Sequence, residues 1–207
     1  MDGITLVQHP LLAAALTRIR DQSTDTTGFR RAVTEASRLM AYEATRHLEC
    51  RSIAIRTPVS AARGVVLRRP VVLVPVLRAG ISMLSAFLEA VPDATVGFVG
   101  QRRDETTLEP HSYLFNVPAG LEKAEVLVLD PMLATGGSVA ATVSGLKERG
   151  AKRIRCVHLL AAPEGVRRFQ EVHPDVPLYA AALDRRLNRS GYIVPGLGDA
   201  GDRCFGT

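Results

Sequence analysis

Residues Val126 to Ser138 read Val-Leu-Val-Leu-Asp-Pro-Met-Leu-Ala-Thr-Gly-Gly-Ser, an apolar strand that ends in an acid and then opens a helix. In an open parallel sheet, ligands bind beyond the carboxyl ends of the strands, where this loop must lie. The backbone N–H groups of Thr135, Gly136, Gly137 and Ser138, the hydroxyls and the helix N-terminus together make a cradle for a phosphate. The glycines let the backbone come close to it. Asp130 sits too near that cradle to hold the phosphate itself. It suits ribose hydroxyls, from which a carboxylate accepts hydrogen bonds. The same residues also describe an ordinary N-cap and turn, and only the full strand–acid–loop–helix order argues for an anion site.

Three other places could carry chemistry. Leu77-Arg78-Ala79-Gly80 is a strand end with a small-residue turn into a helix. Gly80 permits a tight backbone and Arg78 adds a fork of donors, although a solvated arginine at a helix start fits equally well. Arg102 and Arg103 lie in an irregular stretch, where surface arginines are usually solvated. In the tail, Gly196, Gly198 and Gly201 alternate with Asp199 and Asp202. This composition predicts a compact loop without regular structure, whose backbone donors and acceptors could read the edge of a flat heterocycle. Apolar Tyr192, Ile193, Val194 and Phe205 on either side favour a tail that is tied down over a frayed terminus. His47, His111 and His173 show no metal-ligand spacing, and His158 reads as a strand histidine. Cys204 reads as a small buried hydrophobe.

The elements that must position these residues follow from periodicity. Leu11, Leu12, Ala15, Leu16 and Ile19 predict one amphipathic helix. Phe29, Val33, Ala36, Leu39, Met40 and Leu48 predict a second after a polar break. From Val71 the chain alternates strand and helix. Strands are expected at 71–77, 95–100, 126–129, 153–160 and 178–183, with helices at 80–90, 137–149 and 163–172. Near-continuous apolar strands separated by helices mean an α/β fold, a parallel sheet with helices on its faces. Residues 102–117 fit neither pattern and read as a projecting arm or hairpin.

At 207 residues, 46% of them hydrophobic, the chain is long enough for one folded domain over 1–207 and too apolar to be disordered. No apolar run reaches the ~18 residues of a membrane span, and no signal peptide is evident. Three scattered cysteines suit a reducing cytoplasm. Net charge is +5, and every basic residue except Lys123, Lys147 and Lys152 is arginine. That weak basicity fits a polyanionic small molecule or RNA without choosing between them.

The loop from Asp130 to Ser138 resembles the phosphoribosyl-diphosphate loop of type I phosphoribosyltransferases. Its Asp-Pro form, in place of two adjacent acids, resembles the uracil phosphoribosyltransferase family. Val74 to Gly80 is similar to that family's diphosphate loop, Arg103 to Pro110 to its flexible arm, and Gly191 to Arg203 to its uracil-binding hood. The resemblance implies transfer of phosphoribose from 5-phospho-α-D-ribose 1-diphosphate (PRPP) to uracil, giving UMP in pyrimidine salvage. It assigns PRPP to Arg78, Arg103, Asp130, Pro131, Met132, Leu133, Ala134, Thr135, Gly136, Gly137, Ser138 and Asp199. Uracil falls to Ile193, Gly198, Asp199 and Ala200, and the catalytic residues would be Arg103 and Asp199. Mg²⁺ would arrive with PRPP, without a protein metal site. A homo-oligomer (dimer or tetramer), a possible GTP effector, no nucleic-acid or membrane partner and a cytoplasmic location are also implied. Thr106 stands where the arm commonly has a glutamate, which leaves closure of the arm open.

Two other classes share parts of this pattern. An RNA-binding regulator on the same fold would use an arginine-rich face and would not need the long hood. A dinucleotide oxidoreductase would carry GxGxxG after its first strand, where this chain has Arg-Ala-Gly-Ile-Ser-Met.

Overall fold

The structure, a computed structural model, describes residues 3–103 and 110–207, with the side chains of 102, 103 and 110–112 excepted. After a short β1 (Ile4–Leu6) come α1 (Pro10–Arg20) and α2 (Thr26–Ala44). Pro10 occupies the first turn of α1, where its missing N–H costs nothing. The Asp25 carboxylate caps α2 by accepting from Gly28 N–H at 2.7 Å. The second helix was expected to reach Leu48, but it stops at Ala44. Thr45 turns its hydroxyl back onto the Ala41 carbonyl at 2.7 Å, and Leu48 packs on the core from beyond the helix.

A hairpin absent from the sequence reading follows, β2 (Cys50–Arg56) and β3 (Ala61–Leu67), antiparallel, with β2 largely exposed and β3 alternating between exposed and half-buried residues. Then come β4 (Val71–Leu77), α3 (Ile81–Ala90), β5 (Thr95–Val96), β6 (Phe98–Arg103), β7 (Pro110–Asn116), β8 (Glu125–Leu129), β9 (Met132–Leu133), α4 (Gly137–Glu148), β10 (Ile154–Ala161) and α5 (Pro163–Val172). The chain closes with β11 (Leu178–Leu183), β12 (Arg186–Leu187), β13 (Ile193–Val194) and α6 (Ala200–Phe205). The strand expected over 95–100 is divided at Gly97 into β5 and β6. Of the residues expected to form an arm or hairpin, 102–103 extend β6 and 110–116 form β7, an antiparallel pair at the sheet edge, and 104–109 lie outside the described residues.

The main sheet runs β1-β11-β10-β8-β4-β6-β7 and is parallel except for β6–β7. Alternation along the strands feeds two cores. Leu127 and Leu129 join Ile19, Phe29, Met40 and Phe87 of α1–α3 on one face, while Val126 and Val128 join Val143, Leu146 and Phe169 of α4–α5 on the other. From β4 the chain moves to β6 on one side and returns to β8 on the other. The carboxyl ends of β4 and β8 therefore flank a topological switch point, where open sheets bind ligands. Among the described residues, no helix is long and apolar enough to cross a membrane.

Candidate active site

The loop between β8 and α4 lies at that switch point. Its shape is fixed by two glycines that interlock. Gly136 has φ +79°, and a Cβ on it would lie 2.6 Å from the Gly165 carbonyl oxygen. A Cβ on Gly165, in the first turn of α5, would lie 2.2 Å from the Ala134 carbonyl oxygen. The loop is thus pressed onto α5 so closely that neither position admits a side chain. No side chain caps α4, so its first-turn N–H groups point into the loop. Asp130, Met132, Leu133, Ala134, Thr135, Gly136 and Ser138 line a cleft of about 100 Å³ there. These dimensions and donors suit a phosphate at the helix end.

Asp130 is half-buried at the rim of this cleft. Burial raises its carboxyl to about 7, opposed by one hydrogen bond from Met132 N–H at 3.3 Å. Its backbone carbonyl accepts from His158 Nδ1 at 2.7 Å. Because a carbonyl only accepts, Nδ1 carries the proton. Burial holds the His158 ring at about 4, so it is neutral near pH 7. His158 supports the loop from β10, as expected of a strand histidine, and its buried Nε2 has no partner among the described residues.

A second cleft of about 260 Å³ adjoins the first and shares Met132 and Ala134 with it. Ser190, Gly191, Tyr192, Ile193, Gly198, Asp199 and Ala200 complete its wall. The structure therefore brings donor-assigned Asp130, Met132 to Gly136 and Ser138 into one compartment and base-assigned Ile193, Gly198, Asp199 and Ala200 into a second, with a common wall. Ser190, Gly191 and Tyr192 had no individual role in the sequence reading, although Gly191 and Tyr192 opened the hood segment.

The tail corrects the expectation of a loop without regular structure. Asp199 caps a helix, α6, by accepting from Asp202 N–H at 2.9 Å, and Gly206 ends it at φ +75°. Capping overrides the poor helix propensity of Gly201, and tertiary ties hold the turn. Arg30 Nε donates to the Cys204 carbonyl at 2.6 Å. Arg203 donates to Ile19, Leu197, Asp21 and Thr24 carbonyls and lies over the Phe29 ring. Cys204 is buried, as expected of a small hydrophobe.

The remaining assigned residues are placed differently. Arg78 is exposed and pairs with Asp202 at 3.1 Å, joining the β4–α3 turn to the tail helix. Pro131 is buried, and its carbonyl is taken by the N–H groups of Leu159 and Leu160, both at 3.0 Å. It braces the loop from β10 and lines neither cleft. Gly137 is buried in the first turn of α4. Arg103 ends β6, but its side chain lies outside those described, as do arm residues 104–109 with Thr106.

The chain matches the family model described as Uracil phosphoribosyltransferase over residues 6–207. It is 53% identical over 208 residues to the uracil phosphoribosyltransferase of Agrobacterium fabrum, with 100% of both chains covered. The counterpart from Ligilactobacillus salivarius is 50% identical over 208 residues, again with 100% of both covered. Among solved structures, the AQ2163 protein of Aquifex aeolicus gives a TM-score of 0.93 at 38% identity, covering 98% of this chain and 97% of that one. A purine phosphoribosyltransferase from Pyrococcus horikoshii shows the shared fold at 16% identity and TM-score 0.51, covering 73% of this chain and 82% of that one.

Proposed function

The chain belongs to the uracil phosphoribosyltransferase family, and from that premise we propose that it transfers phosphoribose from PRPP to uracil. The products are UMP and diphosphate, in pyrimidine salvage. The observation that carries this reading is the shared wall of Met132 and Ala134 between the two clefts. A donor whose 5′-phosphate sits at Ala134 to Ser138 then presents its C1 toward a base held under Ile193 and Gly198 to Ala200.

In the reaction the C1–O bond to diphosphate breaks, the diphosphate leaves with the electron pair, and uracil N1 bonds to C1 and gives up its proton. Positive charge grows on the ribose ring and negative charge on the leaving group. Asp130 accepts from ribose hydroxyls. Arg78 and Arg103 supply charge to the diphosphate. Arg78 must then exchange Asp202 for the donor, which is easy for an exposed pair. Asp199 spends Oδ1 on its cap and turns its other oxygen toward the donor.

Among the described residues no three His, Cys, Asp or Glu side chains come together to hold a metal. Mg²⁺ carried in on the substrate's phosphates would suit the exposed Asp199 carboxylate at the second cleft, since this ion keeps its waters and needs few carboxylates. When bound, it would neutralise charge on the leaving diphosphate, with Asp199 reaching its hydration shell.

Further parts of the reading have separate supports. The whole of 1–207 acts as one unit, because Arg20 and Arg30 of the N-terminal helices bind the backbone of the tail. The β2–β3 hairpin exposes Ile55, Val59, Val65 and Leu67. An isolated apolar hairpin needs a partner surface, which favours a homo-oligomer. Three free cysteines suit the cytoplasm. GTP activation is tested by turnover at fixed PRPP with and without GTP. For the reaction itself, carbon-labelled uracil incubated with PRPP should yield labelled UMP, and recovery of all label as uracil would overturn the proposal.

A further inference from the structure

The turn that closes the base cleft is held from behind by an ion pair drawn from distant parts of the chain. Arg20, the last residue of α1, sends Nη1 and Nη2 to the two carboxylate oxygens of Asp184, at 2.8 and 2.6 Å. The pair then grips one residue by both of its backbone groups. Asp184 Oδ2 accepts from Gly196 N–H at 2.8 Å, and Arg20 Nη1 donates to the Gly196 carbonyl at 3.0 Å.

Gly196 has φ +65°, and a Cβ there would stand 2.1 Å from the carbonyl oxygen of Ile193. The turn therefore folds directly back on a residue that lines the cleft. Gly198, Asp199 and Ala200, on the far side of the turn, line the same cleft, whereas Arg20 and Asp184 do not. The Asp184 side chain is 5% exposed and that of Arg20 26%. Largely out of water, a bidentate arginine–carboxylate pair has a fixed geometry, and losing one partner leaves the other uncompensated. Arg203 adds a tie to the Leu197 carbonyl at 3.0 Å, and Glu164 Oε1 accepts from Leu187 N–H at 3.1 Å. These ties leave the Gly196 peptides to the Arg20–Asp184 pair.

We propose that Arg20 and Asp184 are positioning residues that set the backbone reading the base. Acting through Gly196, they determine affinity for uracil and discrimination against cytosine. The inference rests on the second cleft being the uracil site. A base edge is read by fixed backbone groups only if those groups cannot shift, and this pair is what stops them shifting.

The test uses Arg20→Lys, which keeps the charge but loses the fork, and Asp184→Asn, which keeps the shape but loses the charge pair. Arg18→Lys, on the same helix as Arg20 and paired at the surface with Glu35 of α2, is the control. In both test variants KM for uracil should rise about 10- to 100-fold and KM for PRPP stay within about twofold, as expected for misplacement at one substrate only. The ratio of kcat/KM for uracil over cytosine should fall with it. A purely structural role would reduce the amount of active enzyme, lowering apparent kcat and leaving KM unchanged. Wild-type turnover that needs no uracil would remove the base reading itself. Uracil-dependent wild-type turnover with unchanged KM in both variants would remove only the clamp. Recovery of neither variant as folded protein would make the pair a folding element and also overturn the proposal.

Discussion

Replacing Asp130 with asparagine should stabilise the protein at alkaline pH while weakening its hold on PRPP. Burial raises this carboxyl from its ordinary 3.8 to about 7, and only the Met132 N–H opposes the shift. Such a carboxyl binds its proton more tightly in the folded chain than in the unfolded one. Its contribution to stability is therefore complete below the unfolded pKa and is lost as pH rises through 7. A difference of about 3 in pKa corresponds to a ceiling of about 4 kcal/mol. Asp130 lies at a cleft mouth, and water there screens its charge, so about 2 kcal/mol is expected by pH 8. Asparagine keeps an acceptor for Met132 and does not titrate. Urea unfolding of both proteins at pH 5 and pH 8 should show the variant's advantage growing by about 1–2 kcal/mol between them. An advantage that is constant, or that shrinks toward pH 8, would refute the assignment of a strained carboxylate. The variant should also show a raised KM for PRPP, because the ribose hydroxyls lose a charged acceptor.

Arg103→Ala should lower kcat/KM for PRPP by the equivalent of about 2.7–4 kcal/mol, the worth of one transition-state charge contact. Its melting temperature should stay near that of wild type, and unchanged kinetics would make Arg103 a solvated arginine. Asp199→Asn keeps the cap on α6 and removes only charge, so turnover should drop well beyond threefold without loss of fold. Asp199→Ala should cost about 1 kcal/mol more in stability, measured by unfolding, because the cap goes too. Gly165→Ala places a methyl group against the Ala134 carbonyl. It should raise KM for PRPP at least about tenfold by displacing the phosphate loop, with KM for uracil less affected.

The central strands were legible because burial on both faces writes itself as continuous apolar runs, as in Val71–Leu77 and Val126–Leu129. The β8–α4 loop and its place at a helix start were legible because strand, acid and glycines are consecutive. The β2–β3 hairpin was not, since β2 is exposed at nearly every position and β3, although it alternates between exposed and half-buried residues, reads Ala-Ala-Arg-Gly-Val-Val-Leu with no matching alternation of polarity. Helix α6 was hidden by Gly201, whose low propensity is offset by the Asp199 cap, by Arg30 from 174 positions away, and by Arg203 of the helix itself reaching back to Ile19. Pro131 was assigned to the donor because it lies within a contiguous motif, yet its carbonyl is spent on β10. Sequence spacing locates a loop but does not say which of its residues face outward. The Arg20–Asp184 clamp spans |i−j| of 164 and has no local signature.

Two adjoining clefts that bring one donor and one base together for a single transfer should make loss of diphosphate depend on the base. Diphosphate release from PRPP, measured with uracil present, with cytosine in its place and with no base, tests this most directly. Uracil presents acceptor, donor and acceptor at O2, N3 and O4, whereas cytosine reverses the last two. A site of fixed backbone groups should therefore favour uracil by roughly 10⁴–10⁵ in kcat/KM. Release should follow uracil one for one and be negligible otherwise. Equal release with and without base, or a uracil preference below about 10², would contradict it.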